Sequence, residues 1–304
     1  MTTPTELIFT SGGTEALNWV IRAIDGPVVT TGIEHCAVNA CLIGLRIPHE
    51  VVHPPTGHYH LIPEDVLARV KPETALVCVQ LANNETGAIQ PIAQIGHSLS
   101  LLSNPPKLLV DASQALGKMK INVSSLKCDF LVVAGHKFYG PRTGALWIKK
   151  PDQFRPLFFG GGQEGGLRAG TENVADAAGL ATAAELVTRD LSSLIGRMKL
   201  TRDALYEGIK RIEPKTEWLS SEPMLPNTLL VSIPGIGAKL KQLQEKIIFS
   251  TGAACHSGQS CSSVLTSSGI ASHVQRDMIR FSTGMMTSLL DIDQALAHLE
   301  MVLC

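Results

Sequence analysis

The first two-thirds of the chain alternates short apolar runs with segments of helical periodicity. Several of these runs are continuous in valine, isoleucine and leucine, which is typical of strands buried on both faces. We predict strands at residues 7–10, 28–31, 76–81, 108–110, 130–134 and 145–149. We predict helices at residues 14–24, 36–45 and 64–70. This order indicates an α/β domain built on a mostly parallel sheet.

The last third of the chain has a different pattern. Residues 172–211 are helical in periodicity and rich in alanine and leucine, which predicts either two helices or one long connecting helix. Further on, the pattern predicts a strand at 229–233, a helix at 238–246, a loop rich in glycine, serine and cysteine at 250–263, a strand at 278–282 and a C-terminal helix. We therefore expect a large domain over residues 1–190 and a smaller α+β domain over residues 191–304.

Composition and charge narrow the classes of function. The chain has 304 residues, 44% of them hydrophobic, and a formal net charge of −1 from 26 basic and 27 acidic side chains. This apolar content is enough for a core and excludes a disordered or collagen-like chain. A charge near zero gives no electrostatic basis for binding nucleic acid or an acidic membrane. No apolar run reaches the roughly 18–20 residues of a membrane span, and the N-terminus has no targeting pattern, so we expect a cytoplasmic protein.

The cysteines do not form a recognisable framework. There are seven of them, an odd number, and none belongs to a C-x-x-C pair. We therefore predict neither a disulfide scaffold nor a structural zinc site, and no metal site of any kind. Most of these thiols are expected to be reduced and buried. The count alone does not say which of them is chemically active.

Polar residues follow four of the predicted strands at the point where each ends. These segments are Ser11-Gly12-Gly13-Thr14, Asn83-Asn84-Glu85-Thr86-Gly87, Asp111-Ala112-Ser113-Gln114 and Gly135-His136-Lys137. In open α/β sheets, ligands bind just beyond the carboxyl ends of the strands. Each segment is weak by itself, but the series predicts one polar crevice at this edge of the sheet.

Each segment has a structural and a chemical interpretation. The glycines before residue 14 fit either an ordinary helix start or backbone N–H groups that receive a phosphate. Asp111 fits a helix cap or a buried carboxylate opposite a cationic ring nitrogen. Lys137 fits a solvated loop residue or an amine that forms a Schiff base with an aldehyde cofactor. The glycine-rich segment 160–166 fits a linker, an active-site loop or a contact with a second subunit.

Seven motifs occur in the order found in one enzyme family: Ser11-Gly12-Gly13-Thr14-Glu15, Glu34-His35, Asn83-Asn84-Glu85-Thr86-Gly87, Val110-Asp111-Ala112-Ser113-Gln114, Gly135-His136-Lys137-Phe138-Tyr139-Gly140-Pro141, Arg168-Ala169-Gly170-Thr171-Glu172-Asn173 and Gly252-Ala253-Ala254-Cys255. From about residue 8 to its end, the chain resembles the pyridoxal-phosphate-dependent cysteine desulfurase and selenocysteine lyase family, of the class V aminotransferase type. The resemblance implies the type I fold of these enzymes, with a mostly parallel seven-stranded sheet in the large domain and a smaller α+β C-terminal domain.

The resemblance implies pyridoxal 5′-phosphate as cofactor and assigns roles around its ring. Lys137 would form the Schiff base, and Asp111 would keep the pyridine nitrogen protonated. Gln114 would hydrogen-bond the ring oxygen, and His35 would stack on the ring. Asn84 would lie near the ring oxygen and the carboxylate of the substrate.

The resemblance also assigns the phosphate. Gly13, Thr14 and His136 would bind it within one subunit. Thr171 would reach it from the neighbouring subunit, which implies a homodimer.

The substrate side is assigned in the same way. Arg280 would bind the carboxylate of the amino acid, because its planar guanidinium matches that group. Cys255, the loop cysteine of the family, would attack the sulfur of the substrate, leaving a persulfide and alanine, or act as a general acid towards selenocysteine. We also place His256 at the substrate. Cys261 has no role that the resemblance assigns.

Local similarities at 135–146, 160–164 and 255–257 favour a selenocysteine lyase, which converts L-selenocysteine into L-alanine and reduced selenium. A cysteine desulfurase is the alternative, and an acceptor protein for the sulfur or selenium belongs to either activity. A class V aminotransferase acting on an ordinary amino acid is a further alternative.

Several positions depart from the family pattern. Only ten residues precede Ser11, whereas the family has a longer segment there, so an inactive, shortened paralogue that acts as a binding partner is another alternative. Ala134 stands where many relatives have a phosphate-binding serine. Met285 stands where an arginine is common.

Overall fold

The computed structural model describes residues 6–251 and 261–303. In these ranges the strands are Leu7–Thr10 (β1), Val28–Thr31 (β2), His49–Val52 (β3), Leu76–Gln80 (β4), Lys107–Asp111 (β5), Phe130–Ala134 (β6), Gly144–Ile148 (β7), Glu217–Trp218 (β8), Thr228–Ser232 (β9) and Met278–Ser282 (β10). The helices are Gly13–Ala23 (α1), Cys36–Gly44 (α2), Pro63–Leu67 (α3), Ile92–Ser100 (α4), Val123–Leu126 (α5), Val174–Arg189 (α6), Leu191–Ile212 (α7), Leu240–Gln244 (α8), Ser263–Ser267 (α9), Ser272–Arg276 (α10) and Leu289–Leu303 (α11).

Seven strands form the sheet of the first compact unit, in the order β3-β2-β4-β5-β6-β7-β1. Neighbouring strands are parallel from β3 to β6, whereas β7 is antiparallel to both β6 and β1. The predicted α/β class and the mostly parallel seven-stranded sheet are therefore confirmed. Because β1 and β6 are both antiparallel to β7, they run in the same direction. The carboxyl ends of β1, β2, β4, β5 and β6 consequently share one edge of the sheet.

Helices α1 and α2 cover one face of this sheet. In α1 the apolar side chains at positions 16, 17, 20 and 21 follow helical spacing, and all are buried against the strands. Trp19 is 1% exposed, and its indole N–H donates to the carbonyl of Arg155 at 2.8 Å. Full burial of one large apolar side chain stabilises a fold by about 1.5–3 kcal/mol. This packing fixes α1, so the start of the helix is held at the carboxyl edge.

Three elements of the first unit were not predicted, one of which is the four-residue helix α5 (Val123–Leu126). Strand β3 (His49–Val52) is short and half-exposed, and its few apolar positions give little signal. Helix α4 (Ile92–Ser100) is preceded by Pro91 and contains Gly96, both of which weaken a helical pattern. Gly96 is required by packing, because a Cβ atom there would collide with the carbonyl oxygen of Leu126.

The long helical stretch forms two helices rather than one. Helix α6 ends at Arg189 and α7 begins at Leu191. Asp190 lies between them as the N-cap of α7, and its carboxylate accepts from the N–H of Ser193 at 3.4 Å. An aspartate at this position favours a new helix start over continuation of the old one.

The second compact unit comprises Pro54–His60, Asn83–Ile89 and Asp190–Cys304. Its sheet is antiparallel in the order β10-β9-β8, and α7 and α11 contribute to its core. The boundary before Asp190 lies one residue from the predicted division at 190/191. The two short segments had been predicted within the large domain, because neither differs in composition from the sequence around it. The segment Asn83–Ile89 carries one of the polar motifs into this unit.

Candidate functional site

Helix α1 begins directly after β1, at the predicted glycine pair. Its N-cap is Gly12, which has no side chain to occupy the first-turn N–H groups. A Cβ atom on Gly13 would lie 3.3 Å from the Ser113 hydroxyl oxygen and 3.6 Å from the Ala134 Cβ. The start of α1 therefore lies against the ends of β5 and β6. The exposed side chain of Thr14 is at the same turn, so this position suits an anion.

Asp111 is the last residue of β5 and is 8% exposed. One carboxylate oxygen accepts from the N–H of Ser113 at 2.9 Å. Within the described ranges the carboxylate has no ion-pair partner. A buried carboxylate is costly without a cation beside it. This site is therefore suited to a ligand that carries a positive charge.

Lys137 ends a 3₁₀ turn, Gly135–Lys137, that follows β6, and its side chain is exposed. The turn is connected to Gln114 through a buried lysine, Lys118. The ammonium of Lys118 donates to the carbonyl of Gln114 at 2.9 Å and to that of Lys137 at 3.1 Å. Burial lowers the pKa of Lys118 to about 8, and the positive charge of Lys137 contributes in the same direction. Sequence reasoning missed Lys118, because a lysine in a turn is ordinarily solvated.

His136 lies in the same turn as Lys137 and is exposed. Partial desolvation lowers the pKa of His136, and the positive charges of Lys137 and Arg142 lower it further. The imidazole is therefore biased towards its neutral form, in which one ring nitrogen donates a hydrogen bond and the other accepts one.

His35 is the N-cap of α2, and its Nδ1 accepts from the N–H of Ala37 at 3.2 Å. The preceding residue, Glu34, is 4% exposed and accepts from the Thr31 hydroxyl at 2.6 Å and the Gln80 N–H at 3.0 Å. Burial raises the pKa of Glu34 to about 8, and the negative charge of Asp111 contributes to this shift. The segment that carries His35 is thus attached to the ends of β2 and β4. The burial of Glu34 was not predicted.

Thr171 is exposed and follows a segment fixed by an ion pair. Arg168 makes a bidentate contact with the Glu15 carboxylate. Its Nε donates to Oε1 at 2.9 Å and its Nη2 to Oε2 at 3.2 Å. Nearby, the Glu164 carboxylate accepts from the N–H of Phe9 on the edge strand β1 at 3.2 Å. The predicted Arg168–Asn173 motif therefore lies beside the start of α1 in the same chain.

The second unit holds Arg280 and Asn84. Arg280, on β10, donates to the carbonyl of Asn84 at 2.6 Å. Two hydrogen bonds fix the turn that contains Asn84, because Asn83 Oδ1 accepts from the backbone N–H groups of Glu85 and Thr86, each at 2.8 Å. The turn at 83–86 thus holds the guanidinium of Arg280 through the carbonyl of Asn84.

Described residues on either side of 252–260 contact the segments that carry Arg280 and Glu85. On one side, Ser250 and Arg280 exchange backbone hydrogen bonds of 2.7 and 3.0 Å. On the other, the hydroxyl of Ser262 donates to the Glu85 carboxylate at 2.6 Å. Burial raises the pKa of Glu85, whereas the Ser262 hydrogen bond and the charge of Arg280 oppose the shift. Cys255 and His256, predicted at the substrate, lie outside the described residues; Cys261 is half-buried.

The predicted residues fall into two groups. The first unit holds Gly13, Thr14, His35, Asp111, Gln114, His136, Lys137 and Thr171. The second unit holds Asn84 and Arg280. Over the ranges that the structure describes, no cluster of three or more histidine, cysteine or acidic side chains could bind a metal ion. No helix in those ranges is long and apolar enough to cross a membrane.

Comparisons with known proteins identify several similar chains. Human selenocysteine lyase is 37% identical, with 98% of this chain and 79% of the relative covered. The cysteine desulfurase IscS of Methanosarcina thermophila is also 37% identical, with 96% of this chain and 75% of the relative covered. A solved NifS-like protein superposes with a TM-score of 0.90 at 30% identity and covers 99% of this chain and 83% of its own.

A second solved structure, the NifS-like protein from Rickettsia africae, superposes with a TM-score of 0.87 at 30% identity, over 98% of this chain and 81% of its own. The family model described as aminotransferase class-V matches residues 1–295, which is nearly the whole chain. The chain therefore belongs to the class-V aminotransferase family.

Proposed function

We propose that this chain is a pyridoxal-phosphate-dependent lyase that cleaves the Cβ–Se bond of L-selenocysteine and releases L-alanine and reduced selenium. Its similarity to selenocysteine lyases over 98% of its length supports the substrate. Cysteine desulfurase activity is the second candidate, because relatives with that name are equally similar, at 37–38% identity.

The described residues fit the proposed cofactor. Pyridoxal phosphate carries an anion, an aldehyde and a ring nitrogen that is cationic when protonated. The start of α1 suits the anion, and the exposed amine of Lys137 suits the aldehyde. The observation that carries the proposal is the buried carboxylate of Asp111, which has no ion-pair partner within the described ranges.

When bound, the cofactor would supply an electron-withdrawing ring conjugated to the Cα atom of the substrate. Asp111 would hold the proton on the ring nitrogen, and Gln114 would bind the ring oxygen. The Nζ atom of Lys137 would anchor the cofactor and then hold the proton that leaves Cα. His35 would stack on the ring, and its Nδ1 is already oriented by the Ala37 N–H.

The phosphate would be bound by Gly13, Thr14 and His136, with Thr171 supplied by the partner subunit of a homodimer. The neutral bias of His136 suits donation of one N–H to a phosphate oxygen.

The second unit would bind the amino acid. Arg280 would bind its carboxylate, with Asn84 beside it, and His256 is proposed to contact the substrate. Cys255 would protonate the leaving selenium. In the desulfurase alternative the Cys255 thiolate would attack the sulfur of the substrate and keep it as a persulfide for an acceptor protein.

The test is a side-by-side assay of alanine release from L-selenocysteine and L-cysteine by the cofactor-loaded protein. We expect kcat/KM to be higher for selenocysteine, and alanine release to be abolished in Lys137→Ala. Equal values for the two substrates would contradict the lyase assignment and favour the desulfurase. Release of alanine from neither would contradict both.

A further inference from the structure

Two carboxyl groups are buried near each other at the carboxyl edge of the sheet, and the proposed reaction uses one of them. Asp111 ends β5, and its register partner on β4 is Gln80. Gln80 donates its backbone N–H to Glu34 at 3.0 Å, and its side-chain amide donates to the carbonyl of Ile33. Gln80 therefore connects the segment of Glu34 with the strand end that carries Asp111.

We infer that Glu34 is a protonated positioning residue, which places no second negative charge beside Asp111 at this edge of the sheet. The consequence for the ring nitrogen rests on the proposed function. The protonation of Glu34 itself does not, and it can be measured in the cofactor-free protein.

The surroundings of Glu34 supply too few donors for an ionised carboxylate. Its Oε1 accepts both bonds, from Thr31 at 2.6 Å and from Gln80 at 3.0 Å. Its Oε2 is buried and has no hydrogen-bond partner within the part of the chain that the structure describes. An ionised carboxylate would present two acceptor oxygens and would leave one of them desolvated. A proton on Oε2 removes the charge, and a neutral group without a partner costs less to bury than a charged one, while Oε1 still accepts both bonds.

The charges around Glu34 favour the same state. The titratable groups that face it are Asp111 on β5 and the buried thiol of Cys78 on β4. The negative charge of Asp111 repels a second one, whereas burial raises the pKa of Cys78 well above its ordinary value, so this thiol adds no charge at pH 7. Glu34 has no ion pair with a lysine, an arginine or a histidine of the described residues. Burial is the largest cause of the raised pKa of Glu34, which is about 8. The side chain is therefore neutral at pH 7.

Asp111, unlike Glu34, has no oxygen that is buried without a hydrogen-bond partner. One of its oxygens accepts a backbone N–H from Ser113. Ionisation of Glu34 would place a second negative charge beside the one that binds the ring nitrogen, and it would change the electronic state of the bound ring.

The direct test is infrared spectroscopy of the cofactor-free protein between pH 6 and pH 10, which detects the C=O stretch of a protonated carboxyl group. We expect the wild type to show this band at pH 7 and to lose it as the pH passes about 8. Glu34→Gln should lack the band at every pH. Absence of the band in the wild type at pH 7, or its persistence in Glu34→Gln, would overturn the inference.

A second variant keeps the test decisive if Glu34→Gln fails to fold. The Thr31 hydroxyl bond stabilises the ionised carboxylate, so in Thr31→Val the band should persist to higher pH than in the wild type. Glu50→Gln is the matched control, because Glu50 is an exposed carboxylate paired with Lys71. It should leave the band unchanged, and a Thr31→Val protein that loses its band at the wild-type pH would contradict the assignment to Glu34.

The coupling to Asp111 has its own readout, the absorbance spectrum of the loaded protein against pH. We expect a spectral transition near pH 8 in the wild type that Glu34→Gln lacks. A transition unchanged in Glu34→Gln would refute the coupling. If the wild type does not bind the cofactor, the proposed function fails while the infrared result stands.

Discussion

At the scale of single residues, two buried carboxyl groups stand out, because each lacks an interaction that a buried polar group ordinarily makes. Asp111 has no cation beside it within the described ranges, and Glu34 has one oxygen without a partner there. A buried carboxylate ordinarily has a countercharge, and a buried oxygen ordinarily has a hydrogen-bond partner, so both observations require an explanation. A ligand with a positive charge explains the first, and a bound proton explains the second.

Replacing Asp111 tests the first explanation. Asp111→Asn keeps the shape of the side chain and removes its charge, so the ring nitrogen would lose the group that holds its proton. We expect kcat for alanine release to fall by about 10²–10³-fold, as when one preorganised electrostatic contact is removed. The control is Asp129→Asn, which changes a carboxylate paired with Lys107. Equal losses in the two variants would contradict the role of Asp111.

The raised pKa of Glu34 implies that the stability of the fold depends on pH. This pKa is about 8 in the folded chain, against an ordinary value of 4.5. The folded state therefore keeps a proton that the unfolded state releases between these values. The stability that this proton provides is fully present below about pH 4.5, and it is lost progressively until the pH has passed about 8.

Glu34→Gln should remove this dependence, because an amide does not titrate. In urea unfolding at several pH values, the free energy of unfolding of the variant should rise relative to that of the wild type between pH 5 and pH 8, by on the order of a few kcal/mol. A constant difference across that range would contradict a raised pKa of Glu34.

At the scale of elements, the site depends on turns joined by side chains. Lys118 connects the turn after β5 with the turn after β6, and Glu85 connects the turn at 83–86 with the start of α9 through Ser262. Neither connection belongs to a helix or a strand. Both therefore hold loop segments in place where regular backbone pairing does not.

The Lys118 connection is tested by Lys118→Met, which keeps an unbranched side chain but loses the donors. Two carbonyl oxygens would lose their partner, at a cost of about 1–3 kcal/mol for each group left unsatisfied. We expect weaker retention of the cofactor, measured as its dissociation constant by absorbance or fluorescence. Lys120→Met is the control, because the side chain of Lys120 is exposed. Unchanged affinity in Lys118→Met would show that the turns hold their positions without it.

The Glu85 connection is tested by Ser262→Ala, with Ser263→Ala as its neighbouring, exposed control. The variant leaves a buried carboxylate oxygen without its donor and loosens the turn that fixes Arg280. We expect KM for the amino acid to rise several-fold, since a loss of about 1 kcal/mol changes an equilibrium constant by roughly fivefold. A rise of equal size in Ser263→Ala would contradict a specific role for Ser262.

At the scale of the whole molecule, the sequence predicts best what depends on local pattern. Strands β1, β2, β6 and β10 have the predicted bounds, because short runs rich in apolar and β-branched residues end close to glycines. Burial is different, since it depends on distant parts of the chain. Lys118 and Glu34 look like ordinary surface residues until β4, β5 and β6 are assembled around them. The segments Pro54–His60 and Asn83–Ile89 join the second unit for a similar reason, because their partners lie far along the chain.

Chemical trapping shows whether Lys137 carries pyridoxal phosphate. The loaded protein is reduced with borohydride, which converts a Schiff base into a stable amine, and its peptides are analysed by mass spectrometry. We expect the added mass of the cofactor on the peptide that contains Lys137. Addition at another lysine, or none in protein that has been incubated with the cofactor, would contradict this expectation.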